Sequence, residues 1–124
     1  MTRSHAAIAA ALAASALAGC GGSSNKQLSY SGFISKADSI CRAGKAATAK
    51  ATSPQGAAKA GDKYVKQFKA LKPPAKLKPA ADEFISVSEQ QEQRLEASDV
   101  NGANALNGKS DEAASKMGTQ DCMS

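Results

Sequence analysis

The sequence predicts an all-α fold, a small up-and-down bundle of three to four helices with one disulfide. Apolar residues recur at the three- and four-residue spacing of a helix in successive segments. None of these segments shows the alternation of apolar and polar residues that marks a half-buried strand. Pro and Gly separate the segments. Because the connections are short, consecutive helices are expected to be antiparallel neighbours.

The N-terminal segment has the composition of an export signal. Arg3 supplies its positive charge, residues 6–16 form an apolar run, and small residues precede Cys20. The apolar run is far shorter than the ~20 residues that a membrane-spanning helix needs. The four residues from Leu17 to Cys20 read Leu-Ala-Gly-Cys and match the bacterial lipobox, so the chain resembles a bacterial lipoprotein precursor.

This resemblance implies how the N-terminus is processed. Residues 1–19 are a signal peptide that is removed, and Cys20 is acylated (palmitate) on its sulfur. The lipid then anchors an extracytoplasmic protein to the outer face of the cell membrane. Residues 20–30 are expected to form the lipidated cysteine and a flexible tether of Gly/Ser type, and residues 31–124 the helical domain. The alternative is an ordinary signal peptide that a cysteine happens to follow.

Serine and proline signals bound the first two predicted helices. The first is expected to run from Ser31, as N-cap, to about Ala51. The second begins at Pro54 with Ser53 as N-cap, since proline suits the first helical position, and it stops before the prolines of residues 72–74. The inward faces are Phe33, Ala37, Ile40, Cys41, Gly44 and Ala47 or Thr48 on the first helix, and Ala57, Gly61, Tyr64, Phe68 and Leu71 on the second.

The third helix is expected to begin at about Pro74 or Pro79 and to end at Ser98. Its inward face consists of Leu77, Phe84, Val87, Gln91 and Leu95. Gln91 on that face is a polar interruption and weakens the predicted core.

The last segment contains two Asn-Gly turn signals. The fourth helix is therefore either one irregular piece or only residues 111–117, capped by Ser110. Gly118 is predicted to be the left-handed residue that ends it.

Large apolar residues are scarce, so the bundle needs a covalent link. Leu, Ile, Val and Phe make up only 14 of the 105 residues from 20 to 124, below the roughly 20% at which disorder becomes an alternative. With Cys20 used by the lipid, Cys41 and Cys122 remain, and in an exported protein they are expected to form a disulfide. The alternative is two free thiols or an intermolecular bond.

Several features together resemble a group of small actinobacterial lipoproteins of uncharacterised function. The matching features are the lipobox, Phe33-Ile34 with Ala37-Asp38 and Ile40-Cys41, the Leu71-Lys72-Pro73-Pro74 break, and the ending from Gly118 to Cys122. The resemblance implies a helical exported domain and brings no activity and no catalytic residues with it.

The residue inventory argues against an enzyme. The single histidine, His5, lies in the predicted signal peptide, and the chain contains no Trp. Catalytic triads and His-ligated zinc or haem are therefore excluded from the mature chain. The acidic residues of the third helix could attract Ca²⁺, but no calcium-loop motif is present and carboxylates on one helix face diverge. We expect no catalytic residues, no metal and no cofactor.

Charge is divided along the chain: residues 26–78 carry a net +10, and residues 79–124 a net −6. Lys59, Lys63 and Lys66 lie on one face of the second helix and are a candidate contact with an anionic surface, either lipid or an acidic wall polymer. The alternative, which we favour from the sequence, is internal pairing with acidic residues of the third helix. The acidic residues concerned are Glu89, Glu92 and Glu96.

From the sequence we expect a non-catalytic lipoprotein that acts as an envelope interaction or structural module. Its partners would be the membrane, through the N-terminal lipid, and an anionic lipid, wall polymer or another envelope protein, but not nucleic acid. The alternative is a small-ligand-binding lipoprotein with a pocket between helices, contacted by Tyr30, Tyr64 and Gln91. A domain with so little apolar volume is not expected to enclose a pocket of ~300 Å³ or more.

Overall fold

The computed structural model describes residues 27–124, which form five α-helices and no strand. This confirms the all-α fold. The helices are α1 Tyr30–Ala49, α2 Pro54–Lys69, α3 Lys78–Glu96, α4 Val100–Asn104 and α5 Asn107–Met117. The predictions of a signal peptide, of lipidation at Cys20 and of a Gly/Ser tether fall outside the described residues.

Helix α1 begins slightly earlier than predicted. Its N-cap is Ser29, whose side-chain oxygen accepts a hydrogen bond from the Gly32 amide at 3.1 Å. The predicted cap, Ser31, lies inside the first turn. The residues before α1 are also held in place, because the Leu28 amide donates to the Lys72 carbonyl at 2.7 Å. Leu28 and Ser29, which precede the predicted start of the domain at residue 31, therefore already contact the bundle or cap its first helix.

The predicted signals for α2 are confirmed, and those for α3 resolve in favour of the later start. Ser53 caps α2 by accepting from the Gly56 amide at 3.0 Å, with Pro54 in the first turn. Helix α3 begins at Lys78, so that Pro79 and not Pro74 lies in its first turn. It ends before Ser98, whose positive φ of 60° is a left-handed conformation that cannot continue a helix.

The last segment forms two helices, a short α4 and the longer α5. The prediction that Ser110 caps the last helix is wrong, since α5 begins at Asn107 and Ser110 is buried in its interior. The prediction for Gly118 is confirmed, because it ends α5 with a φ of 80°. A left-handed residue at this position lets the chain turn sharply away from the helix axis.

The apolar core occupies one end of the bundle. Helix α1 packs on α2, α2 on α3, and α3 on α4 and α5. Phe68 lies at the centre of the filled end, with its ring centroid 6.0 Å from that of Phe33 and 5.0 Å from that of Phe84. Met117, from the end of α5, is fully buried beside them. Because neighbouring helices are antiparallel, the start of α1, the end of α2 and the start of α3 meet at this end. Most of the large buried side chains lie there.

A C-terminal tail, residues 118–124, joins α5 to α1. The predicted disulfide between Cys41 and Cys122 is confirmed, with the two Cα atoms 4.9 Å apart. Asp38 accepts hydrogen bonds from the amides of Gln120 and Asp121, each at 2.9 Å. The tail is therefore attached to α1 by the disulfide and by two hydrogen bonds from its backbone amides to the Asp38 side chain.

Among the helices of residues 27–124, none is long and apolar enough to cross a membrane.

Candidate ligand-binding cleft

The other end of the bundle contains a cleft of about 330 Å³ between the helices. Phe68 and Phe84, at the edge of the filled core, form its inner end. The volume falls within the range of roughly 300–1,000 Å³ that is typical of small-molecule sites. The sequence analysis expects a domain with so little apolar volume not to enclose a pocket of ~300 Å³, and the space found here reaches that volume as a cleft that is open to solvent.

Every helix of the bundle contributes to the wall of the cleft, and so does the tail. Most of the lining side chains are apolar or small, as the walls of small-molecule sites usually are. The apolar and small lining residues are Ile40, Cys41, Gly44, Ala57, Gly61, Val65, Phe68, Phe84, Ile85, Leu95, Ala103 and Cys122.

Two glycines in the wall of the cleft let neighbouring side chains pack directly against the backbones of α1 and α2. A Cβ atom on Gly44 of α1 would lie 3.3 Å from Cβ of Tyr64, and one on Gly61 of α2 would lie 3.1 Å from Oε1 of Glu92. The helices approach closely at these two points, and no side chain of α1 or α2 projects from either glycine into the space beside it. The sequence places both glycines on the inward faces of the first two helices, which agrees with their position in the wall of the cleft.

Polar side chains border the cleft at its α3 side. Gln91 donates from Nε2 to Oδ1 of Asn107 at 2.8 Å and more weakly to the Ala103 carbonyl at 3.4 Å. These bonds explain how a glutamine is tolerated on the inward face of α3, since a buried amide needs partners. Tyr64 also lines the cleft, whereas Tyr30 does not and is 54% exposed at the filled end.

Glu92 places a carboxyl group in the wall of the cleft. Its half-buried side chain lies along the backbone of Gly61 and lines the wall. Burial, together with the negative charges of Asp62, Glu89 and Glu96, raises the pKa of Glu92 to about 7, and Lys66 only partly opposes this. The sequence had grouped Glu92 with the exposed acidic residues of α3, because spacing alone does not show that a glycine faces it.

The tail closes one side of the cleft. Cys122 and Ser124 both line it, and Lys45 of α1 donates from Nζ to the carbonyl of Met123. Ser124 in turn donates from its amide and its hydroxyl to Asp111, at 2.6 and 2.7 Å to Oδ1, and these bonds lower the pKa of that carboxyl. Both α1 and α5 therefore hold this wall.

The lysines predicted to meet an anionic surface lie on the exposed side of α2, away from the cleft. The sequence favours pairing of these lysines with Glu89, Glu92 and Glu96 of α3, but none of the three lysines forms an ion pair with those residues. Lys66 pairs within its own helix with Asp62 at 2.6 Å, and the ion pair between α2 and α3 joins Lys69 to Glu89 at 2.5 Å. Lys59 and Lys63 form no ion pair within residues 27–124, and Nζ of Lys63 lies 5.6 Å from the ring centroid of Tyr64.

Within residues 27–124, no group of three or more His, Cys, Asp or Glu side chains is placed to hold a metal ion.

The fold and the cleft define a disulfide-linked helical domain with one filled end and one open end. Compared with protein-family models, with curated proteins and with solved structures, the chain shows no match.

Proposed function

We propose that this protein is an exported lipoprotein that binds a small, largely apolar molecule in the cleft between its helices. The observation that carries the proposal is the 330 Å³ cleft, whose walls are mainly apolar and also carry polar side chains from several helices. This combination is the usual composition of a small-molecule site, in which apolar walls supply affinity and a few polar groups fix orientation.

The predicted lipid anchor supports the same proposal. A tether of five Gly/Ser-type residues after Cys20 would have a random-coil reach of only ~12 Å. The domain would then remain beside the bilayer, where apolar molecules accumulate. Intact-mass measurement of protein extracted from membranes should find an acylated N-terminus at Cys20. Unacylated mature protein, released entirely into the medium, would contradict the anchor without affecting the cleft.

Binding is best tested with the predicted mature chain, residues 20–124, carrying Cys20→Ala, because it has neither the apolar signal segment nor the lipid and so needs no detergent. Titration with 1-hexanol, followed by NMR, should shift the resonances of Tyr64 and Val65 in a saturable way. Ala57→Leu places a larger side chain in the cleft and should weaken binding by about tenfold or more. Ala60→Leu, on the same helix but outside the cleft, is the matched control and should bind as the parent does. Absence of saturable shifts, or equal effects of the two variants, would contradict the proposal.

A second candidate function rests on the exposed lysines of α2. Lys59 and Lys63 have no acidic partner among the described residues, and with Lys66 they lie on one helix face. Such a face fits the role of an envelope interaction module that contacts anionic lipid or an acidic wall polymer.

A further inference from the structure

Among the carboxylates of residues 27–124, Glu92 is the one that is half-buried and has no partner. Within residues 27–124 nine of the other ten acidic side chains pair with a lysine or arginine or accept a hydrogen bond, and the tenth, Glu96, is exposed. Glu92 alone combines partial burial with the lack of a hydrogen bond or an ion pair. A carboxylate in that position is stabilised when a cation binds beside it.

Lys66, which acts on Glu92, and Lys45, which lines the cleft, both already have a partner. Lys66 pairs with Asp62 at 2.6 Å, and Lys45 donates to the Met123 carbonyl. The other charges that act on Glu92 are all negative, from Asp62 on α2 and from Glu89 and Glu96 on α3. The field at this wall therefore disfavours an anionic ligand and favours a cationic one.

We propose that the ligand of the cleft is an amphiphilic cation, an apolar body that carries one amine-type group, with the Glu92 carboxylate as its counter-ion. This inference rests on the proposed function and names its class of ligand. The apolar body would lie among Val65, Ile85 and Leu95, and the ammonium would donate hydrogen bonds to the carboxylate beside Gly61. A charge-assisted hydrogen bond of this kind is about twice as strong as a neutral one.

Three six-carbon compounds with different head groups test the inference on the Cys20→Ala mature chain, residues 20–124. Hexylammonium should bind about tenfold more tightly than 1-hexanol, and hexanoate should bind most weakly. Glu92→Gln keeps the shape of the side chain and removes its charge, so it should abolish the preference for the amine while 1-hexanol binds as before. Glu96→Gln, which removes an exposed charge one turn further along α3, is the matched control and should retain the preference.

The outcomes separate the inference from the function on which it rests. Equal binding of hexylammonium and 1-hexanol would overturn the inference and leave the proposed cleft function intact, whereas binding of none of the three would reject both.

The pH dependence of binding to the parent chain tests the inference without any Glu92 variant. Because ionised Glu92 is the form that pairs with an ammonium, hexylammonium should bind more tightly at pH ~8 than at pH ~6, with 1-hexanol unaffected. A flat pH profile for the amine would also overturn the inference.

Discussion

At the residue scale, two glycines determine how closely neighbouring side chains approach the backbones of α1 and α2. Gly44 allows α1 to approach the ring of Tyr64, and Gly61 allows Glu92 to lie along the backbone of α2. A side chain at either glycine would have to displace its neighbour by a few tenths of an ångström. The carboxylate is thereby held in a half-buried position that a larger residue at 61 would occupy.

The raised pKa of Glu92 predicts a pH dependence of stability. The carboxyl has an ordinary pKa of 4.5 when unfolded and a pKa of about 7 in the folded domain, mainly because burial disfavours its charge. The folded state binds this proton more tightly, so the stabilisation is fully present below pH 4.5 and is lost as the pH rises through about 7. Urea unfolding of the parent chain should therefore show a loss of stability across this range that Glu92→Gln does not show.

The comparison between parent and variant isolates this single group. The unfolding free energies should differ least below pH 4.5, and Glu92→Gln should be the more stable protein at pH ~8. Glu96→Gln, which removes only one of the smaller causes of the raised pKa, should keep the loss of stability and shift it slightly toward lower pH. Parallel profiles for parent and Glu92→Gln would show that the folded-state pKa of Glu92 is not raised.

At the scale of elements, the C-terminal tail links helices that otherwise meet little. The contacts between elements run from α1 to α2, from α2 to α3, and from α3 to α4 and α5. The disulfide joins residues 81 apart in the sequence, and the tail also contacts α1 through Asp38, Arg42 and Lys45. The tail thus completes the bundle and at the same time forms one wall of the cleft.

Removal of the disulfide should strongly destabilise the domain. In the chain-entropy model, closing a loop of this size contributes about 4.5 kcal/mol, and loss of a disulfide from a small exported domain costs roughly 2–5 kcal/mol. The Cys41→Ser and Cys122→Ser double variant should therefore unfold at much lower urea concentration than the parent. It avoids the stray thiol of a single variant. Two freely alkylatable thiols in the native parent would contradict the link itself.

How far the sequence predicts these elements depends on whether their signals are local. Ser53 and Pro54 mark the start of α2 correctly, because a cap and a first-turn proline act within a few residues. The start of α5 was missed, since Leu106 has no capping side chain and Ser110 is buried by packing against other helices. The cleft was missed for a related reason: the position of Glu92 against Gly61 depends on how α2 and α3 are aligned.

At the scale of the whole molecule, most of the charge asymmetry of the sequence remains as exposed charge, since only three ion pairs among the described residues join the basic half of the chain to the acidic half. These pairs are Arg42 with Asp121, Lys69 with Glu89 and Lys78 with Asp82. A single ion pair, Lys69 with Glu89, joins α2 to α3 in the described part of the chain. Pairs this exposed contribute little to stability. The basic face of α2 is therefore available to an external partner, and the cleft lies on the inward side of the same helix.

Charge reversal on α2 tests whether that face contacts an anionic surface. The Cys20→Ala mature chain, residues 20–124, should bind vesicles that contain anionic lipid, and binding should fall steeply between low and physiological salt because screening weakens exposed charges. Reversal of Lys59, Lys63 and Lys66 to Glu should abolish vesicle binding while helicity and the cleft are retained. Lys69→Glu is the matched control, because Lys69 is on the same helix but already paired with Glu89, so its reversal should leave most of the vesicle binding. Vesicle binding that is independent of salt, or that persists after the triple reversal, would exclude the lysine face as the contact and leave the cleft as the site that remains to be explained.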